Sequence, residues 1–141
     1  MTVQNKFGIA VKGFIFNNKN ELLLVKRNNQ DPHNPGVWEV PGGRLDEGES
    51  PFLGLKREVN EEVGLEIDIK NPLRVHHFVR DDGQKITMIT FYCKVKEKDY
   101  EVKLSEEHTE YKWSNPNDAL EIVTEFFVGD VKRYLEYFKK K

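Results

Sequence analysis

Three glutamates at a regular spacing in the middle of the chain are the side chains best suited to chemistry. Glu58, Glu61 and Glu62 follow one another closely, and a helix that turns about 100° per residue would present all three on one face. Carboxylates held this close repel one another, so a bound cation would stabilise them. An open face of oxygen ligands suits Mg²⁺ or Mn²⁺, which keep water molecules and bind phosphates. The spacing therefore predicts a magnesium or manganese site.

Histidine and cysteine offer no competing metal site in the sequence. Cys93 is the single cysteine and the histidines show no ligand spacing, so zinc is not expected. His33 is interpreted as structural. In a strand, one of the neighbouring His76 and His77 faces inward or toward a cleft and the other faces outward, which requires no chemical role.

The glutamates are predicted to lie on a helix that spans residues 51–63. Ser50 suits the N-cap, Pro51 the first helical position, and Gly64 the left-handed position after the last turn. Apolar residues on a second arc would anchor this helix in a core while the carboxylates face a cleft. These residues are Phe52, Leu55, Val59 and Val63.

An arginine and a glycine turn complete the predicted site. Arg57 lies beside Glu61 on the helix and can also reach Glu49, so its planar guanidinium would fix the orientation of a carboxylate. Before the helix, residues 38–43 form a short strand that enters a glycine turn, where the backbone can approach other groups closely.

The same residues match a known sequence pattern, the Nudix box, which reads G-x5-E-x7-R-E-U-x-E-E-x-G-U with U a bulky aliphatic residue. The matching residues are Gly43, Glu49, Arg57, Glu58, Glu61, Glu62 and Gly64. The chain therefore resembles the MutT-like Nudix hydrolases over nearly its whole length. This resemblance implies an α/β/α sandwich around a mixed β-sheet. It also implies hydrolysis of a nucleoside diphosphate linked to another moiety, by attack of water on phosphorus.

The resemblance assigns roles to individual residues. Divalent cations would neutralise and orient the diphosphate and acidify a bound water, held by the three glutamates and the carbonyl of Gly43. Glu61 and Glu62 are the first ligand candidates, whereas Glu58 is either a ligand or the general base. Arg57 is grouped with the catalytic residues because it would position their carboxylates.

Members of the family often place a further glutamate before the last strand. Glu106, Glu107 and Glu110 are available here, and Glu107 is the first choice as a ligand or general base. Solvated surface is the alternative interpretation of this acidic loop. Arg27, at the end of an apolar strand, is a candidate for contacting a substrate phosphate, and Glu49 is a second candidate on the substrate side.

Apolar runs and turn residues predict the remaining elements. Two hairpins are expected, with strands at 6–16 and 21–27 and at 73–80 and 85–95. Strands are also predicted at 65–69 and 110–113, and helices at 116–123 and 125–140, the last with Phe127, Val131, Tyr134, Leu135 and Phe138 at helical spacing. Four aromatic residues are expected in the core: Phe7, Phe14, Phe78 and Tyr92.

Composition limits the class of protein. The chain has 141 residues, 38% of them hydrophobic, and a formal net charge of −2, which predicts one domain over residues 1–141. No long apolar run or signal peptide is recognised, so a cytoplasmic protein without a membrane partner is expected. The charge balance provides no broad basic surface for duplex nucleic acid. Both a monomer and a homodimer remain open, because Phe126 and Phe127 suit a core or a dimer seam equally.

The sequence leaves the substrate open. The leading hypothesis is an ordinary or oxidised (d)NTP. Enzymes of this family specific for ADP-ribose tend to carry a proline beyond the box, and dinucleoside-polyphosphate enzymes a tyrosine, but Pro72 comes too early and Tyr92 too late. A nucleotide-sugar hydrolase, an RNA-decapping enzyme and a non-catalytic nucleotide sensor are further hypotheses. Decapping would require a basic channel, and sensors usually lack box glutamates that this chain retains.

Overall fold

The computed structural model describes residues 7–139. In chain order the elements are β1 (Phe7–Phe16), β2 (Leu22–Arg27), β3 (Trp38–Glu39), β4 (Gly42–Arg44), α1 (Pro51–Val63), β5 (Ile67–Val79), β6 (Lys85–Val95), β7 (His108–Ser114), α2 (Pro116–Ile122), a 3₁₀ turn (Glu125–Phe127) and α3 (Val128–Tyr137). None of the helices within residues 7–139 is both long and apolar enough to cross a membrane.

The strands form one mixed sheet, as predicted. Its order is β3-β2-β1-β6-β5, with β4 paired to β1 and β7 paired to β2. Strands β1 and β6 run parallel, whereas the remaining pairs are antiparallel. The two expected hairpins, β1–β2 and β5–β6, are both present. Lys6, the first residue of the predicted opening strand, lies outside the described residues.

Alternation along β1 gives the sheet two buried faces. Phe14 and Phe16 belong to a hydrophobic cluster that includes residues of α2 and α3. Val11 and Ile15 point to the opposite face and pack in a second cluster with residues of α1, because successive strand side chains face opposite ways. Helices therefore cover both faces of the sheet, which is the predicted sandwich.

The box helix α1 begins and ends where the sequence predicted. The Ser50 hydroxyl accepts a hydrogen bond from the backbone N–H of Phe52, and Gly64 has φ 71°, a left-handed conformation that glycine adopts without strain. Leu55 and Val59 are fully buried, but Phe52 is 54% exposed, so its predicted core position is wrong. Phe52 lies on the apolar side of the helix, as predicted. It is in the first turn, however, where contact with the Phe91 ring covers only part of its side chain.

Strand β5 corrects the prediction of two separate strands at 65–69 and 73–80. It runs continuously over Ile67–Val79, with register irregularities at 69–71 and 72–74. Pro72 lies in this strand, and its missing N–H is tolerated because β5 is at the edge of the sheet.

The two ends of the chain give further corrections. The helix expected at 125–140 is interrupted, because Phe127 departs from helical geometry (φ −103°, ψ 3°) and α3 starts only at Val128. Lys140 lies outside the described residues. Strand β7 is longer than the predicted 110–113. Phe7 is 46% exposed rather than core, since it begins its strand at the sheet's end, whereas Phe14 is fully buried.

Candidate functional site

A cavity of about 750 Å³ lies where β1, β4, α1 and the 3₁₀ turn meet. Of the predicted site residues, Arg27, Gly43, Glu58 and Glu107 line it. The Glu61 side chain, by contrast, is 59% exposed. The structure therefore brings together residues from the box, the preceding hairpin and the loop before β7 that are far apart in sequence.

Arg57 holds the box carboxylates in place. Its Nε and Nη2 donate to the two carboxylate oxygens of Glu49 at 2.7 and 2.8 Å. Its Nη1 donates to Glu58 at 3.1 Å and to Glu61 at 3.2 Å. The predicted contacts with Glu49 and Glu61 are thus present, and Glu58 is an additional partner. Hydrogen bonds from Arg57 lower the pKa of Glu49 to about 2, so Glu49 stays ionised and keeps the guanidinium oriented.

The glycine turn lies directly against the carboxylate of Glu58. A Cβ atom added to Gly43 would be 2.8 Å from Glu58 Oε2, closer than real Cβ contacts allow. A side chain at this position would displace the Glu58 carboxylate, so glycine lets the backbone, including the carbonyl proposed as a ligand, lie next to it. The neighbouring Gly42 has φ 140°, and its added Cβ would meet the carbonyl oxygen of Val11 at 2.1 Å.

Glu62 is buried, although it was expected on the open face of the helix. It is 2% exposed, and its Oε2 has no hydrogen-bond partner within the described part of the chain. Burial raises the pKa of Glu62 to about 9, against the opposing charge of Lys12, and the interaction of its carboxyl group with that of Glu58 and the charge of Glu107 raise the pKa further. A cation in contact with this carboxylate would relieve both the repulsion and the unmet hydrogen-bonding capacity.

A charged network that the sequence did not indicate lies behind the box. Lys12 Nζ donates to Glu39 Oε1 at 3.1 Å and to the carbonyl oxygens of Val40 and Gly42 at 3.2 and 3.1 Å. His108 Nε2 lies 2.9 Å from Glu39 Oε2. Lys12, Glu39 and His108 are all buried, so the network is rigid and fixes the carbonyl groups next to the glycine turn.

Glu39 is the centre of this network. Its Oε2 also accepts from Arg27 Nη1 at 2.7 Å. Burial is the largest single influence on its pKa and acts upward, yet Lys12, His108 and Arg27 together lower the pKa of Glu39 to about 2. Glu39 and Glu62 are therefore two buried carboxyl groups in opposite situations. Glu39 is ionised and accepts hydrogen bonds from several donors, whereas Glu62 has few hydrogen-bond partners.

Arg27 lies in the cavity wall, but carboxylates already hold its guanidinium. Nη2 donates to Asp31 and Nη1 to Glu39. Arg27 Nε is buried and has no hydrogen-bond partner in residues 7–139. The side chain is thus oriented by two acids, and only part of its hydrogen-bonding capacity remains.

The far end of the cavity is aromatic and apolar. Phe78 and Phe126 meet edge to face with ring centroids 5.2 Å apart, and Phe126 meets Phe127 edge to face at 4.9 Å. Ile86 and Met88 line the same cavity. Phe126 is 39% exposed, so a flat ligand ring could reach it.

The histidines apart from His108 lie largely as predicted. His76 is the inward member of its pair, where its Nε2 lies 2.9 Å from Asp130 Oδ1 and its ring stacks on Phe126. His77 faces outward and contacts Thr87. His33 Nδ1 lies 2.8 Å from Asp81 Oδ1, and both residues line the cavity.

The donor atoms present fit a divalent cation. Glu62, Glu107 and His108 each offer a ligand atom, and these atoms lie within 4.8 Å of one another. Two of these residues carry a buried atom without a hydrogen-bond partner among residues 7–139, Glu62 Oε2 and His108 Nδ1. The sequence did not indicate His108 as a ligand. Its neighbours Glu62, in α1, and Glu39, in β3, are far from it in the chain, so no short spacing signals these contacts.

Comparison with known proteins places the chain in a family. A family model described as the NUDIX domain matches residues 6–135. The chain belongs to the Nudix family, which confirms the prediction made from the box. The crystal structure of a MutT protein from Methanosarcina mazei Go1 is similar, with a TM-score of 0.83, 30% sequence identity, and coverage of 99% of this chain and 100% of that one.

Two curated relatives are similar over most of their length. The asymmetrical bis(5'-nucleosyl)-tetraphosphatase of Rattus norvegicus is 31% identical over 106 residues, which cover 72% of this chain and 69% of the relative. The nucleoside triphosphatase NudI of Escherichia coli K12 is 27% identical over 114 residues, covering 75% and 81%. Two Nudix hydrolases of Arabidopsis thaliana are much longer, since the matched segments span 32% and 19% of their lengths. These similarities support the predicted pyrophosphohydrolase class.

Proposed function

We propose that the chain hydrolyses a nucleoside diphosphate linked to another moiety, with an ordinary or oxidised (d)NTP as the leading substrate. The observation that carries this proposal is the arrangement of the cavity. Glu58 and Glu107 line one part of it, and Phe78 and Phe126 line another. Such a cavity suits a ligand that has a phosphate chain at one end and a flat base at the opposite end. The nucleoside triphosphatase relative agrees with this choice.

In this proposal the acidic residues hold Mg²⁺ or Mn²⁺. Glu58, Glu61, Glu62 and the carbonyl of Gly43 are the proposed ligands. When bound, the cations would neutralise the phosphate oxygens and acidify the attacking water. Of these proposed ligands, Glu61 is exposed and Glu62 is buried.

The remaining predicted residues take supporting roles. Arg57 positions Glu58 and Glu61 through its hydrogen bonds. Glu107 is exposed at the edge of the cavity, where it can bind a cation or accept a proton from water, so it is proposed as a ligand or as the general base, and Glu58 takes one of the same two roles. Arg27 would contact a phosphate from the cavity wall, and Glu49 acts indirectly, by fixing Arg57.

The test is product release with and without Mg²⁺ or Mn²⁺, over a panel of dNTPs, oxidised dNTPs, ADP-ribose, diadenosine polyphosphates and nucleotide sugars. When the reaction is run in ¹⁸O-labelled water, mass spectrometry shows which product carries the label and so identifies the phosphorus atom that water attacks. Selective, metal-dependent cleavage of dNTPs is expected. Nucleotide binding without turnover would instead support a non-catalytic sensor.

A variant tests the metal ligands directly. Glu61→Gln removes one ligand charge from an exposed side chain and is expected to reduce turnover by roughly three orders of magnitude or more, while the melting temperature stays unchanged. Glu136→Gln, on the exposed side of α3, is the matched control and should retain full activity. Wild-type turnover in Glu61→Gln would refute the assignment of Glu61 as a ligand.

A dinucleoside polyphosphate is the second candidate substrate. The tetraphosphatase relative supports it, and the cavity lining extends to His33 and Asp81, which are proposed to lie beside a second nucleoside. Cleavage of diadenosine tetraphosphate with a higher kcat/KM than any dNTP would decide in its favour.

A further inference from the structure

His108 has one ring nitrogen fixed and its second ring nitrogen left without a partner. The residue begins β7, and its side chain is 1% exposed. Nε2 lies 2.9 Å from Glu39 Oε2. Nδ1 is buried without a hydrogen-bond partner in the part of the chain described here, although it lies 3.7 Å from Glu62 Oε1. A buried nitrogen with no partner requires an explanation, and a bound ligand provides one.

The two ring nitrogens of His108 face two different carboxylates, those of Glu39 and Glu62. Glu39 is ionised and accepts hydrogen bonds, so Nε2 carries the hydrogen that it donates to Glu39. The distance of 3.7 Å from Nδ1 to Glu62 Oε1 is longer than a hydrogen bond. Glu39 therefore orients the His108 ring with Nδ1 toward Glu62, which is the carboxylate–histidine arrangement that orients metal-binding imidazoles.

The separations of the donor atoms suit one shared cation. Ligands at about 2.1 Å from a six-coordinate ion lie roughly 3.0 Å apart when adjacent and roughly 4.2 Å apart when opposite. The observed 3.7 Å between His108 Nδ1 and Glu62 Oε1 is below the larger value, so both atoms are close enough to reach one ion after a small adjustment. Glu107 supplies a third atom in the same group, within 4.8 Å of both. The unpartnered Oε2 of Glu62 is a second, independent sign of a missing ligand.

We propose that Nδ1 of His108 is a nitrogen ligand to a divalent cation that Glu62 and Glu107 also bind, so that this position prefers Mn²⁺ to Mg²⁺. Imidazole suits first-row transition metals, whereas Mg²⁺ prefers oxygen ligands throughout. The inference rests on the proposed metal-dependent hydrolysis, because it adds a ligand to that metal centre.

Electron spin echo spectroscopy of the full chain loaded with one equivalent of Mn²⁺ tests this proposal. A directly bound imidazole is expected to produce ¹⁴N modulation, which should change to the ¹⁵N pattern when only histidine is labelled with ¹⁵N. The modulation should disappear in His108→Gln and persist in His77→Gln, the matched control at an exposed histidine. Titration should show the Kd for Mn²⁺ rising at least about tenfold in His108→Gln, with a smaller change for Mg²⁺.

If His108→Gln does not fold, the wild-type protein labelled with ¹⁵N-histidine still tests the proposal. Mn²⁺ that binds at one equivalent without nitrogen modulation would overturn the proposal, as would modulation that histidine labelling leaves unchanged. In either case, continued Mg²⁺-dependent hydrolysis would leave the proposed function standing. If the wild type shows no metal-dependent hydrolysis, the proposed function is refuted, whatever the spectra show.

Discussion

Replacing Arg57 by glutamine is expected to reduce kcat/KM by about 10- to 100-fold without unfolding the protein. Arg57 donates two hydrogen bonds to Glu49 and one each to Glu58 and Glu61. Glutamine has no positive charge and cannot reach three carboxylates, so the orientation of the proposed ligands is lost but their donor atoms remain. The expected decrease in kcat/KM is therefore the effect of removing a residue that orients the ligands, not of removing a ligand. It should appear as a weaker Mn²⁺ affinity and a lower kcat together.

The conservative variant separates geometry from charge. Arg57→Lys keeps the charge near the carboxylates, but a single ammonium cannot reproduce the two-pronged contact with Glu49. Its activity should fall between those of Arg57→Gln and the wild type. Steady-state kinetics, Mn²⁺ titration and thermal melting measure the effects, with Lys56→Gln on the exposed side of α1 as control. Wild-type kcat/KM and Mn²⁺ affinity in Arg57→Gln would refute the positioning role. Wild-type values in Arg57→Lys would refute the geometric part, and equal losses in both Arg57 variants would refute the contribution of charge alone.

Two further outcomes are expected. The pKa of Glu39 is lowered to about 2, so its contribution to stability is present above the unfolded-state pKa of about 4.3 and is lost as pH falls through the folded-state value. The difference in unfolding free energy between wild type and Glu39→Gln, measured with urea, should thus narrow as pH falls from 5 toward 2. Phe126→Leu should raise KM roughly 2- to 10-fold with little change in kcat, since it removes one stacking face. Tyr137→Leu, at an aromatic residue that is 61% exposed, should leave KM unchanged.

The box helix was predictable because its signals are local. The cap at Ser50, the proline after it and the left-handed Gly64 all lie within one turn of the ends they define. The apolar run of β1 and the turn at 17–20 are equally local, so the first hairpin was predictable too. Phe52 shows the limit of such patterns. Periodicity gives the angle of a side chain around a helix, but burial also depends on how far the neighbouring layer extends.

Long-range contacts explain what the sequence did not reveal. His108 meets Glu39, which lies 69 residues earlier in the chain, and Lys12 meets Glu39 across 27 residues. Each of these residues looks ordinary within its own strand, and only sheet pairing brings them together. The break at Phe127 likewise follows from packing, because that ring is 3% exposed against the sheet while the sequence pattern continues as a helix.

The buried charges behind the box are hard to explain as a stabilising feature alone. Lys12, Glu39, His108 and Glu62 are all buried, and apolar side chains of similar volume usually fill such a space at equal or better stability. Glu39 is satisfied, since it accepts from Lys12 and His108. The unmet groups of these four residues, Glu62 Oε2 and His108 Nδ1, lie where the network faces the proposed metal. The network therefore holds an incomplete set of donors in a fixed geometry, and a cation is the ligand that would complete it.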